Sequence, residues 1–226
     1  MKEEHFLLIE SSTHNCSVSI SSNGEIHSFK EEVGEQFIHA EKLHLFVDEL
    51  IHDLGPSKTI KAVAVSNGPG SYTGLRIGLS LAKGLCYGWD CPLILHSTLE
   101  VLYHSFRLEH PTIKAEHFWP MLDARRMEVY TNLFSKDGEA LGNDRPMILT
   151  EDLPNEIGVC FGNGSEKARE LLESAGHIVI DGPLPTSRAM AQITKTAFDA
   201  QDFADKAYSE PFYLKAFQAG KPKPMV

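Results

Sequence analysis

Apolar and polar positions near the start of the chain fall into strand-length blocks. Phe6–Ser11 is a short apolar run, and Cys16–Ser22 and Glu25–Glu31 alternate about Asn23-Gly24. That pattern predicts a buried strand followed by a hairpin with a type I′ turn. The period then changes. Leu43, Phe46, Val47, Leu50 and Leu54 recur at helical spacing, predicting a helix over Phe37–Leu54 that Gly55-Pro56 stops. Phe37, Ile38, Ala40, Leu45 and Ile51 widen the stripe beyond one core face, so this helix is expected to pack on two sides. Ile60–Ser66 reads as a second buried strand, followed by a glycine-rich turn, a helix to about Gly88 and a strand at Pro92–His96. Ser97-Thr98-Leu99-Glu100 has the capping-box pattern of another helix. The order is βββαβαβα.

The second half repeats that order more loosely. Strands are predicted at Phe118–Asp123, Met127–Phe134, Met147–Thr150, Gly158–Phe161 and His177–Ile180, with a turn at Asp137-Gly138. Helices are predicted near Asp152–Glu156, over Ser165–Ala175 and over Ser187–Phe203. Antiparallel strands followed by alternating helices and parallel strands give a mixed α/β sheet covered on both faces. Two tandem copies make the two-lobed architecture of the actin-like and sugar-kinase ATPases (the ASKHA, RNase H-like fold). The expected lobes are residues 1–105, carrying partner-docking helices, and residues 106–226, including the C-terminal tail.

Composition narrows the function classes. With 42% hydrophobic and 23% charged residues among 226, the chain resembles an ordinary globular protein. No apolar run approaches the roughly 20 residues of a membrane span. Glu3 and Glu4 before a short apolar run do not make a secretory signal. Cys16, Cys86, Cys91 and Cys160 form no CxxC pair, so reduced thiols and a cytoplasmic location are expected. Twenty-one basic residues against 31 acidic give a net charge of −10, which repels polyphosphate unless cations cluster. The basic spots are small: Arg125-Arg126, and Lys215, Lys221 and Lys223. Each reads as solvated surface.

The turn Ser66–Gly78, SNGPGSYTGLRIG, raises the question of a nucleotide. It lacks the Lys-Ser/Thr of a P-loop and the glycine spacing of a dinucleotide fingerprint. In a two-lobed ATPase the phosphates would sit on the hairpin turns, here Ile9-Glu10-Ser11-Ser12-Thr13 and Leu122-Asp123-Ala124-Arg125-Arg126. Glu10 stands where an Asp for Mg²⁺ is expected, and Asp123 precedes bulky arginines instead of glycines. Glu10, Ser11 and Asp123 therefore mark a degenerate nucleotide cleft. Ser71 and Cys86 have no identifiable base, so no catalytic residue is assigned. His96, Glu100 and His104 are spaced for one helix face, but His96 is expected to end a strand and the three are not expected to converge. His39 and His44 read as surface or interface residues. Gly74, Gly78 and Ala82 leave one helix face nearly bare, which lets another helix approach.

SNGPGSYTGLRIGLSLAKGLCYGWDCPL, followed in order by MLDARRMEVY, FGNGSEKA and PTSRAMAQ, resembles the signature of the TsaB (YeaZ) family of tRNA threonylcarbamoyladenosine biosynthesis proteins. The resemblance spans nearly the whole chain. It implies two actin-like lobes and a non-catalytic role beside the paralogous TsaD. With TsaC and TsaE, that pair modifies N6 of the adenosine next to the anticodon of ANN-decoding tRNAs. TsaD-type paralogues carry two metal-binding histidines whose matching positions here are Thr98 and Leu102, so no metal site is expected. ATP and metal are expected on partner subunits, and tRNA through the complex. The family's partner interface maps onto the two helices above, giving Leu43, Phe46, Val47, Leu50, Gly74, Gly78 and Ala82 as docking positions. The lone chain could use the same surface to homodimerise. The alternatives are an actin-fold ATPase or small-molecule kinase acting alone, and a metallopeptidase.

Overall fold

Two sheets, each grown around a buried first strand, organise the chain. The computed structural model describes residues 3–34 and 38–215; Phe37, Lys221 and Lys223 lie outside the described residues. The first sheet comprises β1 (His5–Glu10), β2 (Asn15–Ser22), β3 (Glu25–Val33), β4 (Ile60–Ser66) and β5 (Leu93–His96), in spatial order β3-β2-β1-β4-β5. β1 runs antiparallel to β2 and parallel to β4. The second sheet comprises β6 (His117–Asp123), β7 (Glu128–Thr131), β9 (Arg145–Ile148), β10 (Val159–Phe161) and β11 (Ile178–Ile180), in order β11-β10-β6-β7-β9. The short β8 (Phe134–Ser135) pairs with β6. Again the first strand is central, with an antiparallel neighbour on one side and a parallel one on the other. The element order predicted as duplicated is duplicated in space.

The strand period of two decides what covers each face. Leu7, Ile9, Val18, Val63 and Val65 point to one side of the first sheet, where α1 (His39–Leu54) and α2 (Tyr72–Gly88) pack. Phe6, Leu8, Ala62, Ala64 and Ile94 point to the other. That side is closed by Val101 of α3 (Thr98–Glu109) and by Ala189, Met190 and Ala191 at the start of α5 (Ala191–Asp199). α3 also buries Leu99, Leu102, Tyr103 and Phe106 against Phe118, Phe134 and Phe161 of the second sheet. Trp119, Met121 and Cys160 face the opposite side, under α4 (Arg169–Ser174). The expected division at 105/106 falls within α3, and α5 covers the sheet of the other lobe.

Four predicted elements differ. The Met127–Phe134 strand breaks at Asn132, whose side chain accepts from Leu133 N and donates to Asp144. No helix forms at Asp152–Glu156. Pro154 has no N–H to give, and the Pro154 and Glu156 carbonyls accept from His177 and Trp119 side chains instead. Ser165–Ala175 begins as a 3-10 turn because Ser165 Oγ donates back to Gly162 O instead of capping. Ser187–Phe203 starts as a 3-10 turn over Ser187–Met190, and its α-helix ends at Asp199, ahead of left-handed Gln201. Among the described residues no helix is long and apolar enough to cross a membrane.

Candidate functional site

The parallel strands β1, β4 and β5 end together, and polar groups cluster at those ends: Glu10, Ser66 and His96. Glu10 closes β1 with no exposed surface. Ser12 donates to its Oε1 from both backbone N (2.6 Å) and Oγ (2.5 Å). Burial pushes the Glu10 carboxyl upward, outweighing the Ser12 hydrogen bonds that favour the charged form. Donors that a phosphate would need are thus turned inward onto an acid. Ser11 Oγ donates to Gly74 O (2.9 Å), and Ser71 N donates to Ser12 O (2.7 Å). A Cβ on Gly70 would stand 2.6 Å from Ser12 O, while one on Gly74 or Gly78 would collide with Ser11. The glycine-rich turn and the Ser11-Ser12 turn are packed backbone to backbone. That close approach explains the glycines.

This corrects the expected docking set. Gly74, Gly78 and Ala82 are buried within their own lobe, against Ser11 and the core. Leu43, Val47 and Leu50 are buried beneath α1 in the same core. Only Phe46 is half-buried. The residues that face outward are those that widened the α1 stripe: Leu45 is 46% exposed and Ile51 is half-buried. On α2 the outer rim is Ile77, Leu81 and Leu85, with Tyr87 86% exposed. Gly84 lies on that rim, and an added Cβ there meets nothing within 4 Å. The overly wide apolar stripe of α1 is the sequence signal for its outward positions.

His39 is buried, not at a surface, and its Nε2 lies 2.8 Å from Thr13 O. His96 does end β5, yet its ring reaches Glu100 one turn into α3, with Nδ1 3.3 Å from Oε2 and Nε2 3.0 Å from Thr194 Oγ1. Burial would raise the Glu100 carboxyl, but the His96 hydrogen bond and charge carry it downward overall. Glu100 therefore serves His96 and not the capping box; Ser97 caps α3 by accepting from Leu99 N (3.1 Å). Burial lowers His104, partly offset by Glu100. Thr98 and Leu102 are buried. Among the described residues no group of three or more His, Cys, Asp or Glu side chains is arranged to hold a metal ion. An open cavity of about 190 Å³ beside His96 is bounded by Asn67, Ser97, Asp144 and Phe212. Burial raises Asp144 against hydrogen bonds from Ser97 (2.5 Å) and Asn132 (2.9 Å). Phe212 N donates to Asn67 O (2.7 Å), holding Phe212 at the edge of that cavity.

On the second lobe, Asp123 is 46% exposed and ion-paired with Lys167, whose Nζ also donates to Glu128 O (2.6 Å). The carboxylate is occupied by a lysine. Arg125 and Arg126 follow with φ of 71° and 51°. Non-glycine residues in that left-handed region cost on the order of 1–2 kcal/mol each.

A family model described as TsaD, tRNA N6-adenosine threonylcarbamoyltransferase, matches residues 36–153. The tRNA threonylcarbamoyladenosine biosynthesis protein TsaB of Escherichia coli is 28% identical over 230 residues, covering 96% of this chain and 97% of that protein. The Bacillus subtilis protein of the same name is 44% identical over 102 residues, 44% of this chain and 42% of its own. The structure of YeaZ from Pseudomonas aeruginosa superposes with a TM-score of 0.80 at 23% identity, covering 93% of this chain and 100% of that one. The fold is shared across that likeness.

Proposed function

Because the chain belongs to the TsaB (YeaZ) family of tRNA threonylcarbamoyladenosine biosynthesis proteins, we propose that it acts as the non-catalytic partner of a TsaD-type transferase subunit. In this reading ATP and metal are bound by partner subunits, the catalytic metal by TsaD; TsaC and TsaE act in the same pathway, and tRNA meets the chain through the complex. The observation that supports it best is the outer rim of the α1–α2 pair. Leu45, Ile77, Leu81 and Leu85 remain partly or largely exposed there although the core beneath is complete. Apolar side chains kept at a rim next to an uncovered glycine suit a docking helix pair. The cleft supports the non-catalytic half, since Ser12 and Lys167 occupy the acids of its two turns.

The test uses positions that the chain's own fold does not need. Gly84→Leu adds volume where nothing stands within 4 Å and improves helix propensity. Leu45→Glu places a charge on the same outer side. The double variant should keep its melting temperature yet bind the transferase subunit at least tenfold more weakly, about 1.4 kcal/mol, in a calorimetric titration. Normal binding by a well-folded double variant would sink the docking reading. A second copy of this chain is the competing occupant; light scattering of the unmutated chain and the variant would reveal it as a dimer that the substitutions dissociate.

A further inference from the structure

Two hairpin turns, one joining β2 to β3 and the other joining β6 to β7, place different residues in the same backbone conformation. At the first, Asn23 (φ 52°) and Gly24 (φ 89°) are left-handed, a region those residues enter readily. At the second, the left-handed pair is Arg125 and Arg126, which have no such preference. Asp123 Oδ1 accepts from Arg125 N (3.0 Å), a bond that any residue but proline could supply, so the turn itself does not call for arginine. Both side chains are exposed, and neither guanidinium makes a hydrogen bond or an ion pair there. The nearby carboxylates are engaged elsewhere: Asp123 with Lys167, and Glu128 with Lys215. The tip therefore presents two adjacent arginine charges that no internal acid neutralises.

We infer that this tip grips the sugar–phosphate backbone of RNA, an inference that rests on the tRNA-modifying role proposed above. The guanidinium fork matches phosphate oxygens bidentately. The chain carries a net charge of −10, so contact with a polyanion requires a local cationic point such as this. The adjoining hollow of about 480 Å³ is lined by Lys167 and Arg169 but equally by Glu166 and Glu170; the positive charge is concentrated at the tip. An exposed, wholly charged contact suits a phosphate backbone better than a protein interface, whose core is depleted of charge.

Arg125→Asn with Arg126→Gly rebuilds the tip with the residue types of the first hairpin, removing both charges while relaxing the turn. Binding of a tRNA transcript is measured by fluorescence anisotropy over a salt series, using the complex of this chain with the transferase subunit. Assembly of the unmutated chain is checked first by light scattering, so a failure of the proposed pairing shows there; the isolated chain then enters the same RNA titration. The variant should bind RNA roughly tenfold more weakly, and the slope of log affinity against log salt should shrink by about 1.5, the share of two phosphate contacts. Its melting temperature should hold or rise. Unchanged affinity and slope would overturn the inference. So would a variant that loses the transferase subunit while its isolated chain binds RNA as before, which would make the tip a protein contact.

Discussion

Glu10 carries the pH behaviour of the turn after β1 in a single ionisation. Its carboxyl is fully buried and raised by that burial, so the fold favours the neutral acid. A group whose folded pKa lies above its unfolded value supports the fold fully below the unfolded pKa, near 4.5, and withdraws that support as pH rises through the folded one. Glu10→Gln keeps the acceptor for Ser12 and cannot ionise. The variant's melting temperature should therefore draw ahead of the wild type as pH rises from 4.5. The advantage should approach about 1.4 kcal/mol for each unit by which the fold raises the group. A difference that stays flat across a calorimetric pH series from 4 to 8 would show Glu10 to be ionised in the fold. The oddity of Glu at this position was legible in the sequence. Its full burial was not, because that depends on Ser11 and Ser12 meeting the glycine-rich turn some 60 residues away.

At the scale of elements, the strands of the first sheet and its Asn23-Gly24 turn are legible nearly to the residue, because a period of two and Asn-Gly are local signals. The faces of α1 and α2 are not. An apolar stripe shows that a helix is covered, but which edge meets its own sheet is set by partners distant in sequence, here Val63, Val65 and Ser11. Gly78 and Gly84 separate the meanings of the small residues on α2. Gly78→Leu should destabilise the isolated chain by at least about 1–3 kcal/mol, since its first side-chain atom collides with Ser11. At roughly 2–4 °C per kcal/mol for a chain of this size, a thermal melt would show a drop of several degrees. A melt of Gly78→Leu that matches the wild type would mean Ser11 can move aside, and that the close packing is not what fixes this glycine.

Across the whole molecule the two sheets share their helices. α3 is buried by both, and residues 187–199 return to close the first sheet behind Phe6 and Leu8. Ser187 Oγ further bonds Ser17 and Ser19 of β2 (2.7 and 2.6 Å). Such interlocking couples the lobes, and the two tryptophans report on it separately: Trp89 ends α2 in the first lobe, and Trp119 is buried in β6 of the second. Met190→Ala, which removes a fully buried side chain, should cost about 2–5 kcal/mol. In single-tryptophan variants it should lower both fluorescence transitions together. A fall confined to the Trp89 signal would show the lobes to unfold independently. This exchange was invisible in the sequence, where the end of the chain reads as one more helix of its own half.

The same exchange sets a schedule for the newborn chain. β1 leaves the ribosome about 180 residues ahead of the helix that seals its Phe6 and Leu8 side. At ordinary translation rates of 5–20 residues per second, that apolar face waits roughly 10–40 s for its cover. Through that interval the first lobe is a client for whatever shields unfinished proteins, and it becomes a finished domain only once residues 187–199 have emerged.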